Sequence, residues 1–366
     1  MRKSSNKRRI LTGLTSLLVG SSAGGAAALS VMLGATGASA GTLSYTCASN
    51  IDSAGPVTTC ATLNTTIANL YGKAFNNVNA SIYIQYGTTG LGESTSGFLN
   101  LFSYSAYRAA LAATGSTDAI DIAALASLPA TEPALYKSGK IEITSALGEA
   151  LGLTGLVGTT STGSACFNVG GAGCYNGIIT ISNPADLATF NQGLYYRSGS
   201  QASNAYDFYS VVEHETDEIL GTESCVDTGG GSLSDGCGGS VAGAVDLFRY
   251  NAGARVFESA TPGAYFSYDG GATNGAGGAV YNTSPNGSDF ADFVSSCAHV
   301  QDAFGCLGKS LDITKDGNSE INILDAVGYN RAIATPEPGT WAMMLVGFGG
   351  LGAVLRLRRK QAAATA

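Results

Sequence analysis

Eight cysteines constrain this chain more than any other feature. They fall into four local couples: Cys47 with Cys60, Cys166 with Cys174, Cys225 with Cys237, and Cys297 with Cys306. No couple has the CxxC spacing of a thiolate metal site. An even number of cysteines in an oxidising compartment predicts disulfides. Pairing nearest neighbours gives Cys47–Cys60, Cys166–Cys174, Cys225–Cys237 and Cys297–Cys306. Four short staples would then pin four separate loops of the chain.

The compartment is read from the two ends. Arg2, Lys3, Lys7, Arg8 and Arg9 precede a long stretch of apolar and small residues, and Ala38-Ser39-Ala40 fits a signal-peptidase site. Residues 1–40 therefore read as an export signal. Arg8-Arg9 hints at twin-arginine export, but Ile10-Leu11-Thr12 departs from that pattern, so an ordinary basic start is the preferred reading. Near the other end, Trp341 to Leu355 is apolar, and Arg356, Arg358, Arg359 and Lys360 follow. That stretch falls short of the ~20 residues that span a bilayer. Flanking Gly and Thr and snorkelling arginines extend it enough to predict a transmembrane helix at 341–355. The order Pro336-Glu337-Pro338, apolar segment, basic cluster resembles the PEP-CTERM sorting signal of Gram-negative bacteria. The resemblance implies cleavage by an exosortase near the motif, with 336–360 as a transient inner-membrane anchor. It further implies delivery to the cell surface or the outside, and says nothing about activity.

The body is then roughly residues 41–335. The whole chain has 27 acidic and 19 basic residues, for a net charge of −8. Nine of the basic residues and only one acid, Glu337, lie in the two ends. The body is left with 10 basic against 26 acidic residues, about −16. A surface that acidic excludes phosphate-backbone binding, so no nucleic acid is expected as a partner. It suits a soluble extracellular protein that holds cations.

Residues 41–80 are rich in Ser, Thr and Asn and read as irregular, with one short helix near 61–71. Ser81–Tyr86 alternates and predicts a strand. Gly177–Ser182 predicts another, being β-branched and bounded by turn residues. Residues 245–250 and 264–268 read as further strands. Helices are expected at 98–113, 118–126, 143–151, 205–220 and 320–329. Helices and strands are interspersed, so the expected class is α+β.

The helix at 205–220 carries the chemistry. Asn204 is its candidate cap and Gly221 its candidate stop. At ~100° per residue, Phe208, Val211, Val212 and Ile219 make an apolar stripe. Glu215 falls inside that stripe, where a carboxylate is costly unless it is paired or functional. His214 and Glu218 sit one turn apart at the stripe's edge. Spaced i and i+4, an imidazole nitrogen and a carboxylate oxygen can reach one metal ion, and zinc accepts both donor types. Glu215 would then serve as general base toward the attacking water. The bland alternative is a surface His–Glu pair worth a few tenths of a kcal/mol.

The chain has only two histidines, His214 and His299, so a three-histidine zinc site within it is excluded. Ser224 stands where a metzincin would carry its third histidine, and residues 41–335 contain no methionine for a Met-turn. The third ligand is therefore sought among Glu223, Asp227, His299 or another distant carboxylate. Cys225 would serve only outside a disulfide.

The blocks EHETDEILG, VDLFRYNAGAR, AYFSYDGGATN and ILDAVGY, in that order, resemble a family of exported, PEP-CTERM-tagged HExxE metalloproteases. The matching region runs from about Ile82 to Tyr329. The chain departs from that family at Thr222, and in the insertion between Cys225 and Cys237. The resemblance implies a zincin-like, metzincin-related α+β domain with a mixed sheet and an active-site helix. It implies His214 and Glu218 as zinc ligands, Glu215 as catalytic base, and a peptide or protein substrate. By the zincin analogy, Gly177–Ser182 would be the edge strand that pairs with an extended substrate. Asp246, Asp269 and Asp325 recur in the later blocks. Calcium binding is one reading of those three, and turn and capping chemistry the other. A non-catalytic cell-surface or extracellular-matrix protein on a degenerate zincin scaffold is the rival function. An acid/base glycosidase is disfavoured, because carboxylates one turn apart on a single helix do not straddle a sugar.

Overall fold

The computed structural model describes residues 41–332, apart from 98–99, 115–117, 134–138, 227–236, 238–240, 258–260 and 285–288. Beyond them it describes Met344, Val346, Gly347, Phe348 and Arg356. The export signal, Asp227, Pro336, Glu337, Pro338 and most of 341–355 lie outside the described residues. Among the described residues no helix is long and apolar enough to cross a membrane.

The architecture is mixed α/β with several sheets. The main sheet is built from β1 (Thr42–Cys47), β2 (Asn79–Gly87), β3 (Gly92–Thr95) and β4 (Gly177–Ser182). Its order is β1-β2-β4-β3. The first three neighbours run parallel, and β3 runs antiparallel to β4. In β2 the alternation is plain: Ala80, Ile82, Ile84 and Tyr86 are buried, and the residues between them are more exposed. In β4 nearly every residue is buried, as expected for a strand covered on both faces.

That burial corrects one expectation. Gly177–Ser182 is an inner strand, bonded to β2 on one side and β3 on the other. The sheet's edges are β1 and β3.

Residues 41–80 are also more regular than expected. Leu43 and Tyr45 are buried between exposed Thr42, Ser44 and Thr46, so β1 is an alternating strand hidden by its Ser/Thr content. The helical run extends from Thr59 to Ala74, beyond 61–71. Its buried residues Leu63, Ile67 and Tyr71 recur every four positions.

Elsewhere boundaries shift where a side chain caps the backbone. The expected helix at 98–113 opens as strand Asn100–Ser103, and the Ser103 hydroxyl then caps helix Tyr104–Ala113. The expected helix at 143–151 likewise follows strand Lys140–Ile143 and is capped by Thr144. Helix Ala119–Ser127 is capped by Asp118. Residues 245–250 are not one strand. Val245–Phe248 is a tight helical turn, and only Arg249–Asn251 is extended. The Asp246 carboxylate explains this by accepting from the Gly243 and Cys225 amides. The strand at 264–268 narrows to Tyr265–Phe266. The last helix spans Ser319–Val327.

All four disulfides form between nearest neighbours: Cys47–Cys60, Cys166–Cys174, Cys225–Cys237 and Cys297–Cys306. The chain has no free cysteine, which leaves Cys225 no role as a thiolate ligand.

Candidate metal centre

The site helix is Phe208–Asp217, shorter than 205–220. Ala205–Asp207 is a short strand instead, and the cap is Asp207, not Asn204. The Asp207 Oδ1 accepts from the Tyr209 and Ser210 amides at 2.9 and 3.0 Å. The Asn204 amide is turned away, donating to the Asn191 carbonyl. Glu218 opens one wider turn, Glu218–Thr222, and Gly221 ends it with φ 125°. That angle is open to glycine and strained for other residues.

Two faces of the helix are fixed from behind. Tyr71 donates to the Asp217 Oδ1 at 2.8 Å, and the Tyr45 hydroxyl bonds Thr216 at 2.9 Å. Arg197 bridges Asp207 at 2.9 Å, and the Glu213 Oε2 accepts from the Ile313 amide at 3.0 Å. Phe208, Val211, Val212 and Ile219 are buried as the wheel predicts, and Glu215 is only 5% exposed among them.

The open face of the helix lines a cavity of about 610 Å³. Its wall carries His214, Glu215, Glu218, Glu223, Asp289 and Asp292. The His214 Nε2 lies 3.5 Å from the Glu218 Oε1 and 3.5 Å from the Asp292 Oδ1. His214, Glu218 and Asp292 can each offer a donor atom within 4.8 Å of the other two. The His214 Nδ1 is 3.0 Å from the Val300 carbonyl oxygen and donates to it. In the neutral imidazole that bond leaves the lone pair on Nε2, the arrangement ligating histidines adopt. Asp292 is itself oriented, its Oδ1 accepting from the Gln301 side-chain amide at 2.9 Å.

Asp292 is a distant carboxylate that the sequence does not single out by number. Glu223 lines the same cavity, but its carboxylate accepts from the Ser96 hydroxyl at 2.7 Å and does not join His214 and Glu218. His299 lines the cavity too, yet it groups with Asp316 and Glu320. Asp227 lies outside the described residues. One sequence signal for Asp292 existed. Asp289 and Asp292 are two acids in the otherwise apolar stretch Asp289-Phe290-Ala291-Asp292-Phe293, the first half-buried and the second buried.

Strand β3 roofs the glutamates. Ser94 donates to the Glu218 Oε2 at 2.6 Å. Gly92 faces Glu215 so closely that a Cβ there would meet its Oε1 at 2.2 Å.

The electrostatics follow from this crowding. Burial, with Glu218 next, pushes the Glu215 carboxyl well above its ordinary range. Burial acts the same way on Glu218, but the hydrogen bond and charge of His214, and the Ser94 hydroxyl, hold that carboxyl below its ordinary value. Burial pushes Asp292 up to about 7 against the pull of His214. Burial alone would depress the imidazole of His214, yet Asp292, Glu218 and Glu215 hold it well above its usual value. A cation between these groups would relieve the repulsion among the acids.

Asp246, Asp269 and Asp325 sit apart from this centre. Asp246 accepts from Ser224 and two backbone amides, and Asp269 accepts from Ser267 and Thr273, which is turn chemistry. The Asp325 Oδ2 is paired with Arg331, and Asp325 groups with Asp118 and Asp121.

A model of the PEP-CTERM protein-sorting motif matches residues 334–360. The tail is a PEP-CTERM sorting signal. The chain is therefore exported, processed by signal peptidase and exosortase, and transiently anchored in the membrane through that tail. No curated protein matches the chain, and neither does any solved structure.

Proposed function

We propose that this chain is an exported zinc-dependent metallopeptidase, with His214, Glu218 and Asp292 as ligands and Glu215 as general base. The observation that carries the reading is the placement of the His214 Nε2 at 3.5 Å from each of two carboxylate oxygens, with its Nδ1 committed to a backbone carbonyl. Zinc ligands held at ~2.0–2.2 Å in a tetrahedron stand about 3.3–3.5 Å apart, so the donor set fits. Zinc, when bound, supplies a Lewis acid that polarises the scissile carbonyl and acidifies water.

The remaining steps belong to the chain. Glu215 is buried next to the ligands and is suited to take the proton of the attacking water and return it to the leaving amine. Ser94 orients Glu218. As the sheet's antiparallel edge, β3 offers a ladder on which an extended peptide can lie. The zincin-like resemblance of the HExxE helix points the same way, and the sorting signal sends such an enzyme outside.

A second reading has one observation in its favour. Glu215, Glu218, Glu223, Asp289 and Asp292 all line the cavity, and so many carboxylates would lower the effective charge on zinc. A poorer Lewis acid suits a surface protein that binds metal without catalysis.

Zinc content and casein hydrolysis of the exported, tail-processed protein test both readings. One zinc ion per chain lost in His214→Ala, with hydrolysis lost in Glu215→Gln while zinc is kept, is the expected result. Zinc without hydrolysis, or zinc absent from folded wild type, would overturn the peptidase reading and select the non-catalytic scaffold.

A further inference from the structure

His299 belongs to a second cluster on the far side of the segment that supports the first. His299, Asp316 and Glu320 bring their donor atoms within 4.8 Å of one another. Asp316 and Glu320 are buried, and His299 opens onto the cavity wall. Between them stands the fully buried Ser319 hydroxyl. It is 3.0 Å from the His299 Nδ1, 3.0 Å from the Asp316 Oδ2 and 2.7 Å from the Glu320 Oε2. One hydroxyl hydrogen cannot serve two carboxylate oxygens. A cation shared by imidazole, two carboxylates and hydroxyl satisfies all four. The imidazole separates this cluster from an ordinary acidic patch and favours a zinc-class ion over calcium.

The cluster's place in the fold gives it a role. The Val300 amide donates to the Asp316 Oδ2 at 3.4 Å, and the Gln301 amide donates to the Glu320 Oε1 at 2.9 Å. The same two residues hold the first centre, through the Val300 carbonyl on His214 and the Gln301 side chain on Asp292. The segment 299–301 is thus stitched between two ligand clusters. Within it the Gln301 side chain turns to the first centre, donating to the Asp292 Oδ1, while its backbone amide serves the second cluster.

We propose that His299, Asp316 and Glu320, with Ser319, form a second divalent site of the zinc class. It fixes the 299–301 segment on which His214 and Asp292 depend. The inference does not require the peptidase reading.

Zinc titration of the exported protein with a competing chelator tests it, using wild type, His299→Gln, Asp316→Asn and His214→Ala. His299 is partly exposed, so His299→Gln is expected to fold even if Asp316→Asn does not. The expected result is two zinc ions per wild-type chain and one in each folded variant. In His299→Gln the remaining ion should also bind about 10-fold more weakly, because its supporting segment is loosened. If the first centre alone fails to hold zinc, wild type holds one ion, which His299→Gln loses and His214→Ala keeps. Equal zinc content in wild type and folded His299→Gln overturns the second site.

Discussion

Gly92 and Glu215 approach so closely that a methyl group on Gly92 would lie 2.2 Å from the Glu215 Oε1 and 2.7 Å from the Val211 Cγ1. Space favours the glycine, since β3 passes directly over the Glu215 carboxylate. Gly92→Ala should displace the Glu215 carboxylate while leaving His214, Glu218 and Asp292 in place. Casein hydrolysis is expected to fall 10- to 100-fold, on the order of 1–3 kcal/mol in transition-state free energy, with zinc content unchanged. Full activity in Gly92→Ala would remove Glu215 from the chemistry.

Asp292 and Glu223 make opposite predictions although both line the cavity. Asp292 stands 3.5 Å from the His214 Nε2, whereas Glu223 is engaged with Ser96. Asp292→Asn should weaken zinc binding at the first centre at least 10-fold, and Glu223→Gln should leave it within about 2-fold, given how ligand and supporting positions differ. Competition against a chromogenic chelator reads both. The reverse order would make Glu223 the third ligand.

How much of this was written locally decides what the sequence could reveal. The disulfides join cysteines only 8 to 13 residues apart, so spacing alone found them. The helix face with His214, Glu215 and Glu218 follows from one turn's geometry, and β2 and β4 from their β-rich runs. What was missed is non-local. Ser94 reaches Glu218 across 124 positions, and Val300 reaches His214 across 86. No periodicity encodes such a pairing. The same holds for the sheet edge, because strand order depends on which strands find partners on both sides. Asn204 and Asp207 are both competent caps by type. Only the strand Ala205–Asp207, docked on Gly193–Tyr195, decides between them.

Glu142 gives a pH prediction away from the metal centre. It is buried on strand Lys140–Ile143, and burial, then Glu223 and Asp246, push its carboxyl up to about 8. Its folded pKa lies above its unfolded one. Its contribution to stability is therefore complete below the unfolded value and is lost as pH rises toward 8 and beyond. Glu142→Gln removes that titration. Relative to wild type, the variant should gain about 2–4 kcal/mol between pH 5 and pH 9. Urea midpoints at pH 5, 7 and 9 check this, and parallel profiles for the two proteins would show that Glu142 ionises freely in the fold.

Tyr71 tests the back of the site helix. Its hydroxyl donates to the Asp217 Oδ1 at 2.8 Å and approaches the Glu213 carbonyl oxygen at 3.1 Å, and all these groups are buried. The Asp217 Oδ2 already lacks a hydrogen-bond partner, so the carboxyl depends on Tyr71. Burial pushes Asp217 well above its ordinary pKa, and the Tyr71 hydrogen bond opposes that shift. Tyr71→Phe keeps the ring packing and strands the acid. It should cost about 1–3 kcal/mol, the penalty for a buried polar group left unsatisfied. Because Tyr71 meets the face opposite the cavity, zinc content should stay at the wild-type level. A urea midpoint unchanged within error would mean that Asp217 is satisfied by another group, and that the helix is held from behind by packing alone.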